Sequence, residues 1–443
     1  MSTPRSRFAT CPDTAISPND PPIWWSTTIF MTLIHLAALL GVYSFPPWSV
    51  TRETLLLCFG AWAMSGHAIT IGYHRLYSHK TFRATYGVRV ILAVLGAGAF
   101  QGSIKVWCLR HRMHHRFTDD PVHDPYVLHG LSGDNLLIAS PSYAATRGVF
   151  YSHIGWLFYK PTYERLNLIE RDDLESDPVV RIQHKYYIPL AFFLGFVCPA
   201  FLGSLWHETM AGFVWGGLVA RIFIWHSAFL VNSLAHWNGL QPYSDEDTSR
   251  GNFILALLTG GEGSHNFHVR AVANPKEKET NLFYQHAFPH DFRSGPSSTD
   301  WDPSKWVILG LHKLGLVSGL RRASDDDLVE AVHYMRKKNE LGITEPEVDT
   351  WNGEIWNIDK LKRFAREKTG RCIVLIDGFA IDVTPYLGEH PGGVNLLRKY
   401  SVGLSGDIDA WHQADWAFSG GMNNHSRAAR RRMRELRVAK LVD

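Results

Sequence analysis

The stretch TTIFMTLIHLAALLGVYSF-PPWSVTRET-LLLCFGAWAMSGHAITIGY-HRLYSH, residues 27 to 79, decides how this chain is read. Two apolar runs, Thr27–Phe45 and Leu55–Tyr73, contain no Asp, Glu, Lys or Arg and flank a short polar turn. Each approaches the ~20 residues that carry an α-helix across a bilayer. The pattern recurs at Tyr187–Trp206 and at Thr209–Val231, the latter interrupted by Arg221. Four such runs in two tight pairs predict two transmembrane hairpins and are hard to reconcile with the buried helices of a soluble protein. Both termini and the long loop from His74 to Lys185 then share one side. That loop is rich in Arg and Lys, but its length leaves the positive-inside rule little weight. Val90–Ile104 is apolar but short, with Arg89 and Lys105 at its edges, and reads as a re-entrant or interfacial helix.

Composition narrows the class further. A formal net charge of +3 over 443 residues gives no reason to expect a nucleic-acid partner. The arginines between Arg427 and Arg437 read as a solvated helix face. Five scattered cysteines, with no C-x-x-C pair, do not form a secreted disulfide framework and fit a reducing, cytosol-facing setting. Residues 1–22 read as a disordered tail without a cleavable signal peptide.

The 23 histidines are clustered. His74 and His79 stand in GYHRLYSH, where the second apolar run ends. His111, His114 and His115 stand in HRMHH. His236 closes NSLAH at the end of the fourth run, and His265 and His268 stand in GEGSHNFH. All fall on one predicted side of the membrane. The i, i+3, i+4 spacing of HRMHH predicts three imidazoles on one helical face, and His265 and His268 share a face likewise. His74 and His79 are five residues apart and need a helix end or a bend to converge. Neutral imidazole suits iron, copper or zinc. No thiolate accompanies these boxes, which argues against a structural zinc site. Eight imidazoles are too many for one ion, so two metals are expected.

These motifs, H-x4-H, H-x2-H-H, N-S-x-x-H and H-N-F-H, resemble those of the membrane fatty acyl-CoA desaturases. The flanking HRFTDDPVHDPY, RGVFYSHIGW and GEGSHNFH are similar to the Δ9 branch of that family. The resemblance runs from about Pro22 to Ser318. It implies a di-iron centre held by His74, His79, His111, His114, His115, His236, His265 and His268, with Asn232 contacting one metal through water. A ninth histidine should follow His268, but Val269 stands there. The family pattern resumes at His286, and removing Val269–Gln285 restores HNFHHAFPHDFR. Two readings stay open: an intron retained in the coding sequence, whose splice signals these residues can encode, or a genuine loop insertion. A second interruption, Val127 to about Ala144, separates DPY from RGVFYSH. Leu109 and Arg110 occupy positions where the family commonly has Arg-Asp near the CoA head group. Lys160 is a candidate contact for CoA phosphate, against the alternative of a solvated lysine.

From Glu354 the composition shifts. DVTPYLGEHPGG, residues 382–393, resembles the haem-binding turn of cytochrome b5-like domains. The resemblance implies haem b with His390 and His425 as axial ligands. Two imidazoles give a six-coordinate, electron-transferring haem. Leu404–Gln413 interrupts the family's tight turn.

The expected fold is mainly α. A four-transmembrane-helix domain with a cytosolic helical cap occupies 23–322, a charged linker 323–349, and a small α+β haem module 350–443. The resemblance implies an O2-dependent desaturase placing a cis Δ9 bond in a long-chain fatty acyl-CoA. Its electrons would come through the fused haem from a cytochrome b5 reductase, in the endoplasmic-reticulum membrane among membrane lipids, with both termini cytosolic. The alternatives are a related di-iron lipid hydroxylase or other-position desaturase, and a catalytically dead membrane haem protein.

Overall fold

Residues 27–79 form two long helices, Trp25–Ser44 and Arg52–Ser78, and the second apolar pair forms Tyr187–Ser204 and Thr209–His236. All four are long and apolar enough to cross a membrane. Their outward faces are apolar: Leu39 and Leu40 are each 68% exposed. Withdrawing such a side chain from water is worth ~1.5–3 kcal/mol, so this surface demands hydrocarbon around it. The second and fourth helices outrun the apolar segments, and their extensions carry His74, Arg75 and His236 past the membrane exit. The computed structural model describes residues 22–116, 149–161, 163, 166–237, 239–243, 249–268, 288, 290–297, 300–342, 351–387, 390, 394–402, 408–418 and 427–442.

Two devices hold the hairpins together. Near the turns, the Glu208 carboxylate accepts hydrogen bonds from Thr51 N at 3.0 Å, Thr51 Oγ1 at 2.8 Å and Thr54 Oγ1 at 2.5 Å. It thereby pins the start of the second span to the turn between the third and fourth. Within the second pair, a Cβ placed on Gly203 would stand 2.9 Å from the Cα of Gly212, so only glycine lets these backbones approach so closely.

A helical cap covers the end of the bundle where the histidines emerge. Tyr86–Ala97 is the short apolar helix expected near Val90. It ends before a turn in which Phe100 and Gly102 have positive φ, and the chain re-enters helix at Ile104–Arg116. Buried Ile104, Cys108, Met113, Leu174, Phe292 and Ile308 join this helix to Asp172–Ser176 and Pro303–Lys313 in one apolar cluster. A two-strand pairing, β1 (Arg83–Ala84) with β2 (Val317–Ser318), closes the cap.

The segment expected as a linker contains a helix, Asp325–Leu341. Ser324 Oγ accepts from Asp327 N at its start, three aspartates occupy the first turn, and Gly342 ends it in the left-handed conformation. These are strong start and stop signals for a helix. Beyond it lies the small α+β unit. Its sheet runs β3 (Glu354–Trp356), β6 (Arg437–Leu441), β5 (Phe379–Asp382), β4 (Ile373–Ile376), with β3 parallel to β6 and the other pairs antiparallel. Buried Leu361, Ile373, Ala380 and Ala439 pack its core. Of the segments read as insertions, Val127–Ala144 and Val269–Gln285 lie outside the described residues, as do His286, His425 and residues 403–407. Residues 408–413 open a helix, Ile408–Phe418.

Candidate metal centre

His79 follows His74 by five positions, and on a regular α-helix their side chains would diverge by about 140°. The chain resolves this with a π-helical turn over Ile69–Ser78, in which His79 N donates to His74 O at 3.1 Å. That i→i+5 closure brings residue i+5 back over residue i. The rings come within 4.7 Å, centroid to centroid. Helix Ile104–Arg116 supplies the next two groups. His111 stands 4.7 Å from His74, and His115 stands 4.1 Å from His111 and 4.3 Å from His79.

His74, His79, His111 and His115 each offer a ring nitrogen, and all four lie within 4.8 Å of one another. The Nε2 atoms of His79 and His111 are 3.0 Å apart. Two nitrogens each ~2.1 Å from one ion at a right angle would be separated by about this distance. The four residues therefore fit a metal ion.

The three imidazoles of HRMHH stay neighbours, His114 lying 5.7 Å from His115 and 6.2 Å from His111, but His114 is not among the four that fit one ion. His111 and His115, one helical turn apart, point into the four-histidine cluster. His114 turns toward the fourth span, 6.3 Å from His236, which in turn lies 5.2 Å from His265. A 100° step per residue places neighbouring His114 and His115 on different sides of the helix, and the helix passes between two groups. His265 and His268 open and close the single turn His265–His268, and the side chain of His268 lies outside the described residues. Asn232 sits one turn before His236 and lines the adjoining cavity.

Groups around these rings orient them. His74 Nδ1 is 3.3 Å from Glu262 Oε1. An Nδ1–H donated to that carboxylate leaves Nε2 for a metal, the arrangement that fixes tautomer and ring direction. Glu262 is held by Arg75 at 3.0 Å, which also grips both Asp302 oxygens at 3.0 Å and Phe292 O at 2.9 Å. Arg75 is 2% exposed and Asp302 fully buried, so each charge depends on the other. Trp107 stacks on His111 at 4.7 Å. Arg112, on the outer face of the same helix, donates to Asp173 at 2.6 and 2.9 Å and to Tyr77 O at 2.6 Å. Burial alone would raise the Asp173 carboxyl, but the Arg112 hydrogen bond and charge, with Lys80, hold it below the usual carboxylate range.

An apolar cavity of about 1050 Å³ lies between the spans, with Phe30, Trp62, Phe229 and Leu257 among its walls. His74, His111, His114 and His265 all border it. Arg110 also lines it, its guanidinium 5.3 Å from the Trp156 ring centre. The Lys160 side chain is exposed and does not line the cavity; its backbone N donates to Pro22 O. His390 lies between Leu387 and Leu396, both partly buried against an apolar core of the C-terminal unit.

Glu262, Arg75 and Asp302 escaped the sequence reading. Glu262 stands inside the quoted GEGSHNFH, and the rule that ligating histidines take a carboxylate partner would have flagged it. Asp302 is distant in sequence and offered no such signal.

The chain is similar to known proteins. A family model described as fatty acid desaturase matches residues 51–268. The chain is 32% identical to a probable acyl-CoA desaturase of Schizosaccharomyces pombe, over 94% of this chain and 77% of that one. It is 33% identical to acyl-CoA desaturase 1 of Saccharomyces cerevisiae, over 85% of this chain and 66% of that one. It is 32% identical to stearoyl-CoA desaturase 5 of Homo sapiens, over 68% of this chain and 82% of that one.

Proposed function

Because this chain belongs to the fatty acid desaturase family, we propose that it uses O2 to place a cis double bond, at the Δ9 position, in a long-chain fatty acyl-CoA. One observation carries the reading: imidazoles from three separate segments, His74, His111, His114 and His265, line an apolar cavity between the membrane spans, and two of them belong to a four-histidine cluster that fits a metal ion. A saturated chain has no acidic proton and no leaving group at its middle carbons, so acid–base chemistry cannot act there. When bound, two irons supply the oxygen-activating chemistry an unactivated C–H bond requires, and haem supplies electrons one at a time.

The chain's own residues do the rest. His74, His79, His111 and His115 would hold one ion. His114, His236, His265 and His268 would hold the second, with His286 as the ninth ligand and Asn232 beside it. The cavity walls receive the acyl chain and exclude water from the reacting carbons. Arg110 and Lys160 are candidate contacts for the CoA phosphates.

Residues 23–322 form the desaturase domain and 350–443 a cytochrome b5-like module with His390 and His425 on the haem. The alignment with the S. pombe desaturase covers 94% of this chain, too much to leave that module out, which supports a shared C-terminal unit. A cytochrome b5 reductase would reduce it. The reading places the protein in the endoplasmic-reticulum membrane with both termini in the cytosol.

The test is to express the chain, count bound iron, and supply stearoyl-CoA, O2 and reductant. A monounsaturated product two mass units lighter than substrate is expected. A hydroxylated product, sixteen units heavier, would refute desaturation.

A further inference from the structure

Three histidines stand apart from the metal centre and touch one another. His35 belongs to the first span, His226 to the fourth, and His153 ends the short helix Val149–His153. His226 Nε2 is 3.1 Å from His35 Nε2, and His226 Nδ1 is 2.8 Å from His153 Nε2. His153 Nδ1 is 3.0 Å from Ser233 Oγ, and His35 Nδ1 is 2.7 Å from Met31 O. In the four-histidine cluster the ring nitrogens gather around one point. Here the outer rings meet opposite nitrogens of the middle one, so the three form a line, the geometry of hydrogen bonding and not of ligation.

Neutral rings leave the line one consistent set of protons. Met31 O only accepts, so His35 Nδ1 carries a proton and His35 Nε2 accepts from His226 Nε2. His226 Nδ1 then accepts from His153 Nε2, and His153 Nδ1 accepts from the Ser233 hydroxyl. Every ring nitrogen is paired, which is what an ionisable group inside a membrane span requires. What the line holds is a wall of the cavity. Past His153 the backbone runs through the turn Gly155–Phe158, where Trp156 and Leu157 line the cavity. The far end of this segment is tied to the start of the first span: Trp24 N donates to Phe158 O at 2.7 Å, and Lys160 N to Pro22 O at 2.9 Å. The near end is tied by His153. Phe229 meets both histidines and Trp156 edge to face, its ring centre 5.8 Å from His226, 5.9 Å from His153 and 6.0 Å from Trp156. Trp156 in turn carries the Arg110 guanidinium. A displaced His153 therefore moves two residues that border the cavity.

We propose that the line His35–His226–His153 anchors residues 153–158 as a fixed wall of the substrate cavity, with His226 as the positioning residue at its centre. This rests on the reading that the cavity takes a long-chain acyl-CoA. The anchor acts on binding: a wall held in place before the substrate arrives costs the substrate no ordering when it enters. The line ends at Ser233 and at Met31 O, neither of them a metal ligand, so the metal centre and the chemical step stay as they are when it is cut. Cutting it at His226 leaves a donor on His153 and an acceptor on His35 unpaired inside the bundle, and the segment must shift to relieve them.

The experiment uses the full chain in lipid nanodiscs. Stearoyl-CoA binding is measured by titration calorimetry, and KM, kcat and iron content are measured on the same preparations. His226→Leu occupies similar space without hydrogen bonds. It should weaken stearoyl-CoA binding about tenfold, the scale of one unpaired buried donor, and raise KM to match, with kcat and iron content unchanged. His226→Gln, whose amide both donates and accepts, should recover most of the loss, which a role in filling space would not produce. His35→Leu removes only the outer link and should weaken binding in the same direction; it carries the test if His226→Leu does not fold. Unchanged binding in the leucine variants, a glutamine variant no better than leucine, or a fall in kcat at unchanged KM would overturn the proposal. An unmodified chain that does not bind stearoyl-CoA would instead sink the reading beneath it.

Discussion

Glu262→Gln separates two jobs that one side chain performs. The substitution keeps shape and hydrogen-bonding capacity but removes the charge. Glu262 accepts from Arg75 at 3.0 Å and lies 3.3 Å from His74 Nδ1. Arg75 keeps its two bonds to Asp302 and the one to Phe292 O, so its charge remains paired. A Gln oxygen still accepts from Arg75, and the change from a charged to a neutral partner should cost roughly 1–2 kcal/mol of stability. The effect on the metal should be as large or larger. A neutral amide orients His74 less firmly and no longer raises the basicity of its ring. Loss of such a partner typically costs 10–100-fold in metal affinity, about 1.4–2.7 kcal/mol. The assay is iron retention against a graded series of chelator concentrations, with thermal unfolding of the same samples. The expected result is a small fall in melting temperature and a shift of the iron-release midpoint by one to two decades. Iron held with unmodified affinity would refute the claim that Glu262 orients a ligand.

His114→Ala should abolish product and remove iron from the His236–His265 group, leaving the other ion bound; retention of both irons would show that His114 is not a ligand. His390→Ala should eliminate the haem absorption and cut turnover while iron content stays unchanged, and equal turnover by a chain ending near Ala323, without added cytochrome b5, would refute a fused donor. The chain as written should be weak and the chain lacking Val269–Gln285 active; strong activity of the full sequence, unaffected by His286→Ala, would remove His286 from the site. Asp173 has a lowered carboxyl pKa in the fold, so its pairing with Arg112 stabilises above the ordinary carboxylate value of ~3.9 and fades as pH falls through the lowered one. Asp173→Asn should therefore lower the melting temperature at pH 7, and the difference should shrink as pH falls below the ordinary carboxylate range; a gap that stays constant with pH would contradict this.

The spans and the identity of the histidine boxes were legible in the sequence because both are local. A run such as Thr27–Phe45 states its own length and polarity, and the bilayer's thickness does the rest. HRMHH and HNFH carry their spacing in five and four adjacent letters. The helix Asp325–Leu341 was also written locally, in Ser324, three aspartates and Gly342, though the abundance of charge read as a tether. What spacing could not reveal is where each ring points once helices pack. His74 and His79 converge only because the second span tightens into a π turn. His114 comes beside His236 while His111 and His115 come beside His74 and His79 because the helix runs between the second span and the fourth. The partnership of Arg75 with Asp302 joins residues 227 positions apart. Their pairing follows from burial: removed from water, each charge must find the other, and only the folded chain decides which residues lie within reach.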